Sequence, residues 1–146
     1  MLSVSNLTTS YGLIKALSAV SLVAKEGQVT CILGPNGAGK TTLMFTLAGI
    51  LKPASGSVKF DGIEIAGLGA PKVLQRGLSL VPENRLVFPL MSVRDNLMAG
   101  AYLRHQSKGI EVENDLKKLY ERFPVLKQRE EQNAGTLSGG EQQMLA

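Results

Sequence analysis

Short hydrophobic runs alternate with turn-forming residues in the first part of the chain. The runs "VTCIL" at residues 29–33 and "LSLV" at residues 78–81 are typical of strands that are buried on both faces. "LSVSNL" and "ALSAVSLVA" predict two more strands with a turn at "YG" between them. "VKFDGIEI" predicts a hairpin, because Asp61 and Gly62 favour a tight turn between strands.

A second spacing, of three to four residues, marks the helices. Residues 40–51 predict a helix that Pro53 ends, since proline cannot continue the backbone ladder. Its apolar positions are Leu43, Leu47, Ile50 and Leu51. A shorter helix is predicted between Pro71 and Gly77. Strands and helices together predict an α/β part over residues 1–85.

The back of the chain is predicted to be mostly helical. A helix over residues 92–104 begins with Ser92 and Asp95 at the spacing of a capping box. Residues 111–123 predict an amphipathic helix. Its apolar side comprises Val112, Leu116, Leu119, Tyr120 and Phe123. The polar stretch over residues 128–140 predicts a loop that leads into a final helix.

Composition narrows the class of protein. The 146 residues are 44% hydrophobic and 19% charged, which suits one soluble globular domain without an 18-residue apolar span or a signal peptide. The net charge of +4 is scattered, so we expect no nucleic-acid partner. Cys31 lies in an apolar run and is expected to be buried and inert, which favours a cytosolic location. His105 is expected to be an exposed loop residue.

A glycine-rich segment between the strand at residues 29–33 and the following helix matches G-x-x-x-x-G-K-[ST]. Its residues are Gly34, Pro35, Asn36, Gly37, Ala38, Gly39, Lys40, Thr41 and Thr42. The glycines of the loop, which have no β-carbon, let backbone N–H groups turn toward phosphate oxygens, and the helix N-terminus adds a positive dipole end. Lys40 can reach the β- and γ-phosphates, and Thr41 offers a hydroxyl to Mg²⁺. We therefore expect a nucleoside triphosphate with Mg²⁺, although this loop alone leaves an ATPase, a GTPase and a small-molecule kinase open.

A second segment, "LSGGEQQ", has its own physical interpretation. Ser138 followed three residues later by Glu141 is a capping box. Gly139 and Gly140 leave backbone N–H groups open to an anion.

"GPNGAGKTT" and "LSGGEQQ", in this order and separated by a helical insert, resemble the nucleotide-binding domain of ATP-binding cassette (ABC) proteins. The resemblance covers the whole chain. It implies a P-loop NTPase fold with an N-terminal antiparallel β region and a helical subdomain. It divides one partial domain into residues 1–85, residues 86–132 and residues 133–146.

The resemblance also implies site residues. Tyr11 would stack on adenine, the residues of the glycine-rich loop would hold the phosphates, and Glu83 would take part in binding Mg²⁺ and water. Glu83 departs from the glutamine usual in the family, and a solvated loop acid remains the alternative. The segment that would bind the γ-phosphate held by a partner subunit consists of Leu137, Ser138, Gly139, Gly140, Glu141 and Gln142.

The implied partners are a second ABC ATPase subunit, membrane permease subunits and, indirectly, a periplasmic substrate-binding protein. The implied place is the cytoplasmic face of the membrane. "VPE" followed by "VFP" is similar to the ATPase subunits of branched-chain amino-acid importers, with urea or amide importers, a soluble ABC ATPase and a non-catalytic binding module as alternatives. Family members continue into strands that carry the catalytic glutamate and a γ-phosphate-sensing histidine. We therefore expect this chain alone to be poorly stable, to bind nucleotide at most and to hydrolyse no ATP.

Overall fold

The computed structural model describes residues 1–102 and 109–146. These residues form two compact units, Met1–Leu80 and Val81–Ala146. The predicted loop position of His105 lies outside the described residues, as does the end of the helix predicted over residues 92–104. Each unit has its own hydrophobic core.

The first unit is built on a four-stranded antiparallel sheet in the order β2-β1-β3-β4. β1 spans Leu2–Tyr11, β2 spans Ile14–Ala24, β3 spans Ser55–Phe60 and β4 spans Ile63–Glu64. The predicted turns at "YG" and at Asp61 and Gly62 join β1 to β2 and β3 to β4. Asp61 and Gly62 have φ angles of 48° and 79°, as the tight hairpin turn requires.

Helix α1, Lys40–Leu47, packs on the sheet, and α2, Ala70–Gln75, follows later in the chain. The hydrophobic core of this unit, to which the sheet and both helices contribute, contains Val4, Leu7, Leu17, Leu43, Leu47, Val58, Ile65 and Val73. The prediction that α1 runs to residue 51 is wrong at its end. Gly49 adopts a φ of 74°, and the N–H of Ile50 bonds back to the carbonyl of Phe45 at 2.9 Å. Gly49 therefore ends the helix before Pro53 is reached.

Two predicted strands are absent from the sheet. Residues 29–33 and residues 78–81 have no strand partner in the part of the chain that is described. Val29 and Leu33 are 93% and 90% exposed, and Cys31 is exposed as well, so its predicted burial is wrong. A strand forms only where a neighbour accepts its backbone hydrogen bonds, and the four antiparallel strands pair among themselves.

The second unit is helical. It contains α3, Val93–Gly100, α4, Gly109–Arg122, α5, Pro124–Gln128, and α6, Gly139–Leu145. Its core consists of Val93, Leu116, Tyr120, Leu126, Ala134, Leu137 and Leu145. Ser92 caps α3 by accepting from the N–H of Asp95 at 3.0 Å, as the predicted capping box requires. The Asp95 carboxylate accepts from the Ser92 hydroxyl at 2.7 Å, so only the first half of that box is observed. The stretch over residues 128–140, predicted as a loop, contains a 3-10 turn at Ala134–Thr136, where Ala134 is fully buried.

Candidate functional site

The glycine-rich loop of the first unit has a conformation that depends on its glycines. Gly37 and Gly39 adopt φ angles of 83° and 90°, which residues with a β-carbon rarely adopt. A β-carbon on Gly39 would also lie 2.8 Å from the carbonyl oxygen of Ala16 and 2.8 Å from Leu17 Cδ2. Only glycine at this position lets the loop lie against β2 while α1 begins at the next residue.

The Lys40 side chain forms hydrogen bonds with the backbone of this loop. Its Nζ donates to the carbonyl oxygens of Gly34 and Pro35, both at 2.8 Å. The N–H of Ala38 bonds to the carbonyl of Pro35 at 3.2 Å, so the middle of the loop is also folded on itself. The ammonium group of Lys40 thus lies beside the loop backbone, where an anion bound to the loop would meet it.

The start of α1 provides the polar groups that an anion and a cation need. The N–H groups of the first helical turn, including those of Lys40 and Thr41, have no partner within the helix. Thr41 is exposed, whereas Thr42 is buried. The arrangement fits a polyphosphate, and the hydroxyl of the exposed Thr41 fits a hard cation such as Mg²⁺.

Tyr11 lies next to this helix. It is the last residue of β1, it is 48% exposed, and its hydroxyl oxygen lies 3.5 Å from that of Thr42. The structure therefore brings Tyr11 together with the glycine-rich loop, and leaves much of its side chain accessible to a flat ligand. Its role as an adenine platform stays a prediction.

The segment "LSGGEQQ" forms the capping box that its sequence predicts. The N–H of Ser138 donates to Glu141 Oε2 at 2.8 Å, and the N–H of Glu141 donates to Ser138 Oγ at 3.4 Å. Arg129 Nη1 pairs with the same carboxylate at 3.1 Å. The hydrogen bond from the Ser138 backbone, with the Ser138 side chain and Arg129 contributing, lowers the pKa of Glu141 below its ordinary value of 4.5.

The residues next to this capping box differ in burial and in the space around their backbone. Leu137 is buried in the core, and Gln142 Nε2 donates to the carbonyl of Ala134 at 3.1 Å. A β-carbon on Gly140 would meet nothing within 4 Å, so this backbone faces open space. A β-carbon on Gly139 would lie 3.0 Å from Nη2 of Arg85. The guanidinium of Arg85 therefore lies beside Gly139, which is itself exposed.

Glu83 lies in an exposed turn at the start of the second unit. Among the described residues, no group of three or more His, Cys, Asp or Glu side chains is placed to hold a metal ion. Thr41 and Glu83 remain the predicted metal ligands. No helix within the described ranges is both long and apolar enough to cross a membrane.

The comparisons with known proteins decide the family. The model of the ABC transporter family matches residues 17–146. The chain belongs to the ABC transporter family. Its P-loop and its "LSGGEQQ" segment, hereafter the signature segment, both fall within the matched residues.

Two curated relatives match nearly the whole of this ABC chain. The high-affinity branched-chain amino acid transport ATP-binding protein BraG of Pseudomonas aeruginosa is 43% identical over 100% of the chain and 61% of its own length. The lipopolysaccharide export system ATP-binding protein LptB of Haemophilus influenzae is 34% identical over 97% of the chain and 58% of its own length. The chain thus spans about three-fifths of the curated relatives that it matches.

A solved structure confirms the fold class. A dimeric, post-hydrolysis ATP-binding cassette bound to ADP and Pi superposes with a TM-score of 0.84 at 25% identity, over 99% of this chain and 66% of that one. The prediction of a P-loop NTPase with an N-terminal antiparallel β region is confirmed.

Sequence reasoning missed several contacts in this ABC chain. Arg85 follows Glu83 by two residues, but no spacing rule relates it to Gly139 far along the chain. Thr46, four residues after Thr42, could have been placed on the same side of α1 by helical periodicity. The Thr46 hydroxyl oxygen lies 3.2 Å from that of Thr9 in β1, a contact that no sequence pattern indicates.

Proposed function

We propose that the chain is the nucleotide-binding part of the ATP-binding subunit of an ABC importer. The observation that carries the proposal is the P-loop, whose backbone is held by Lys40 at the start of α1. Loop amides, a helix N-terminus and an ammonium group at one place form a site for the phosphates of ATP. ATP with Mg²⁺ is therefore the proposed ligand.

Each group has a proposed part in binding. The N–H groups of the loop and of the first turn of α1 bind phosphate oxygens, and Lys40 exchanges loop carbonyls for the β- and γ-phosphates. Thr41 contributes its hydroxyl to Mg²⁺, with Glu83 as a second ligand. The ion neutralises charge on the phosphates. Tyr11 stacks on adenine, which its exposed ring next to Thr42 supports.

The signature segment is proposed to bind the γ-phosphate of ATP that a second subunit holds. Ser138 and the open backbone of Gly140 support this, since an N-terminal helix turn offers N–H groups to an anion. Two subunits would pair around two nucleotides with two-fold symmetry. Hydrolysis of ATP, which the family implies, is proposed for the whole protein.

Import of branched-chain amino acids is the proposed transport role. The 43% identity to a branched-chain amino acid transport protein exceeds the 34% identity to a lipopolysaccharide export protein, which favours import over export. Permease subunits, and a periplasmic binding protein acting through them, are the proposed partners. The second unit carries a cavity of about 530 Å³ whose lining includes the exposed Leu86 and Phe88, a surface suited to an apolar partner. The proposed place is the cytoplasmic face of the membrane.

Titration of the chain with MgATP in a calorimeter tests the nucleotide site. We expect Lys40→Ala to weaken binding at least about tenfold, because a charge-assisted contact to phosphate is worth roughly 1.5–3 kcal/mol. Lys25→Ala, which removes an exposed lysine from a turn of the same unit, is the matched control and should bind as the unaltered chain does. Equal affinities for all three proteins would refute the proposed site.

A further inference from the structure

Three threonines connect β1 to the P-loop helix through hydrogen bonds. Thr46 Oγ1 donates to the carbonyl oxygen of Thr42 at 2.7 Å. Thr9 Oγ1 lies 3.2 Å from Thr46 Oγ1. A hydroxyl has one proton, and Thr46 uses its proton on Thr42, so Thr9 is the donor in the second contact. The hydrogen bonds therefore run in one direction, from Thr9 through Thr46 to Thr42.

These hydroxyl groups are placed where apolar side chains would be expected. Thr9 is completely buried and Thr46 is 5% exposed, in the layer that also holds Leu7, Leu43 and Leu47. Valine has nearly the same shape as threonine and carries no desolvation cost. Two buried, paired hydroxyl groups at this place fix the position of α1 relative to β1 more narrowly than apolar packing would.

Thr9 also lies where the pairing of β1 is irregular. The register between β1 and β2 shifts on both sides of Thr9, between Leu7 and Thr9 and again between Thr9 and Ser10. After these shifts the ladder resumes with the pairs Ser10–Lys15 and Tyr11–Ile14, so the Thr9 hydroxyl adds to the pairing that sets the path of the last residues of β1. That path ends at Tyr11, whose hydroxyl oxygen lies 3.5 Å from that of Thr42.

We infer that Thr9 and Thr46 are positioning residues that set the distance between the Tyr11 ring and the P-loop. The inference rests on the proposed function, in which Tyr11 binds the base and the P-loop binds the phosphates of one nucleotide. Thr9 fixes the strand that ends in Tyr11, and Thr46 fixes the helix that begins at the P-loop. The two threonines should therefore affect the affinity for a ligand that contacts both Tyr11 and the P-loop. They should have little effect on the affinity for a ligand that occupies the P-loop alone.

The test compares MgATP with inorganic tripolyphosphate, which has the phosphates and no base. We expect Thr9→Val, which removes one hydrogen bond, to weaken MgATP binding about fivefold, and Thr46→Val, which removes two, to weaken it at least as much. Both variants should change tripolyphosphate binding less than about twofold. Thr46→Ser keeps the hydroxyl and should restore MgATP affinity. Chemical unfolding of each variant shows that the proteins compared are folded.

Tyr11→Phe provides a variant that leaves the core intact, because Tyr11 is half exposed. It removes the hydroxyl contact to Thr42 and should weaken MgATP binding more than tripolyphosphate binding. The inference is overturned if Thr9→Val and Thr46→Val weaken the binding of MgATP and of tripolyphosphate by the same factor. If the unaltered chain binds neither ligand, the proposed function fails and the inference fails with it. If the unaltered chain binds both ligands and the Thr9 and Thr46 valine variants show the same ratio of MgATP to tripolyphosphate affinity, the inference fails and the proposed function stands.

Discussion

At Gly56 the backbone of β3 lies so close to that of β1 that a β-carbon would clash. Its φ angle is 101°, and a β-carbon there would lie 2.6 Å from the carbonyl oxygen of Asn6 and 2.6 Å from the α-carbon of Leu7. Both neighbours are backbone atoms of β1, which cannot move aside as a flexible side chain would. Gly56 therefore combines a left-handed conformation with a close approach between strands.

We expect Gly56→Ala to lower the free energy of unfolding by about 2–4 kcal/mol, from backbone strain and overpacking together. Gly62→Ala is the matched control, since Gly62 has a φ of 79° but nothing within 4 Å of a β-carbon. That control should lose only the strain, about 1–2 kcal/mol. Urea unfolding followed by circular dichroism measures both. Equal losses of unfolding free energy in Gly56→Ala and Gly62→Ala would mean that the close approach of β1 to β3 adds no cost to a β-carbon at residue 56.

Among the elements, those with local chemical signals were predictable from the sequence. Ser92 and Ser138 mark the starts of α3 and α6, and the Asp61–Gly62 turn marks a hairpin, because each signal acts within a few residues. The strands predicted at residues 29–33 and 78–81 failed for the opposite reason. Their hydrophobic runs are genuine, but strand formation depends on a neighbour that no local pattern specifies.

The P-loop was predicted more completely than its surroundings. Its residues are consecutive, so the motif alone places the loop before a helix that begins at Lys40. The contact of Arg85 with Gly139 joins residues far apart in the chain, and the pairing of Thr9 with Thr46 crosses from a strand to a helix. Such contacts follow from packing of the finished unit, which the order of residues does not reveal.

The capping box of α6 makes a prediction about pH. The backbone N–H of Ser138 stabilises the charged carboxylate of Glu141 and lowers its pKa below 4.5 in the folded protein. A lowered folded-state pKa stabilises the fold at pH values above the unfolded pKa. This stabilisation is lost as the pH falls from about 4.5 through the folded pKa. Glu141→Gln removes the charge and should therefore remove this part of the pH dependence.

We expect the unaltered chain to be more stable than Glu141→Gln at pH 7, and the difference to shrink as the pH falls below about 4.5. Denaturant unfolding at several pH values measures the difference, and groups that titrate alike in both proteins cancel. Glu131→Gln removes one exposed negative charge from the same unit and controls for the change in net charge. A difference that stays constant across this range would contradict the assigned role of the Glu141 charge.

At the scale of the whole molecule, the proposed dimer divides each ATP site between two chains. Lys40 belongs to the first unit, and Gly140 belongs to the second. In a head-to-tail pair, one site would use Lys40 of the first copy with Gly140 of its partner, and the other site the reverse. A substitution at Lys40 or Gly140 therefore damages both ATP sites of a dimer of identical variants. It damages only one ATP site of a dimer that pairs the variant with an unaltered chain.

Gly140→Asp is suited to test this division. A side chain at Gly140 enters open space, and an acid in the first turn of a helix does not destabilise it, so the unit should stay folded. Its carboxylate would repel the phosphate of the partner's ATP. Gly140→Ala, which adds a β-carbon without charge, is the matched control and should behave as the unaltered chain does.

We expect neither Lys40→Ala nor Gly140→Asp alone to dimerise with MgATP, because both sites of each uniform pair are defective. An equimolar mixture should recover ATP-dependent dimers, since a mixed pair contains one intact site and one site with both defects. Sedimentation velocity with and without MgATP measures the dimer fraction. A mixture that stays monomeric while the unaltered chain dimerises would show that Lys40 and Gly140 do not act on one nucleotide from opposite chains.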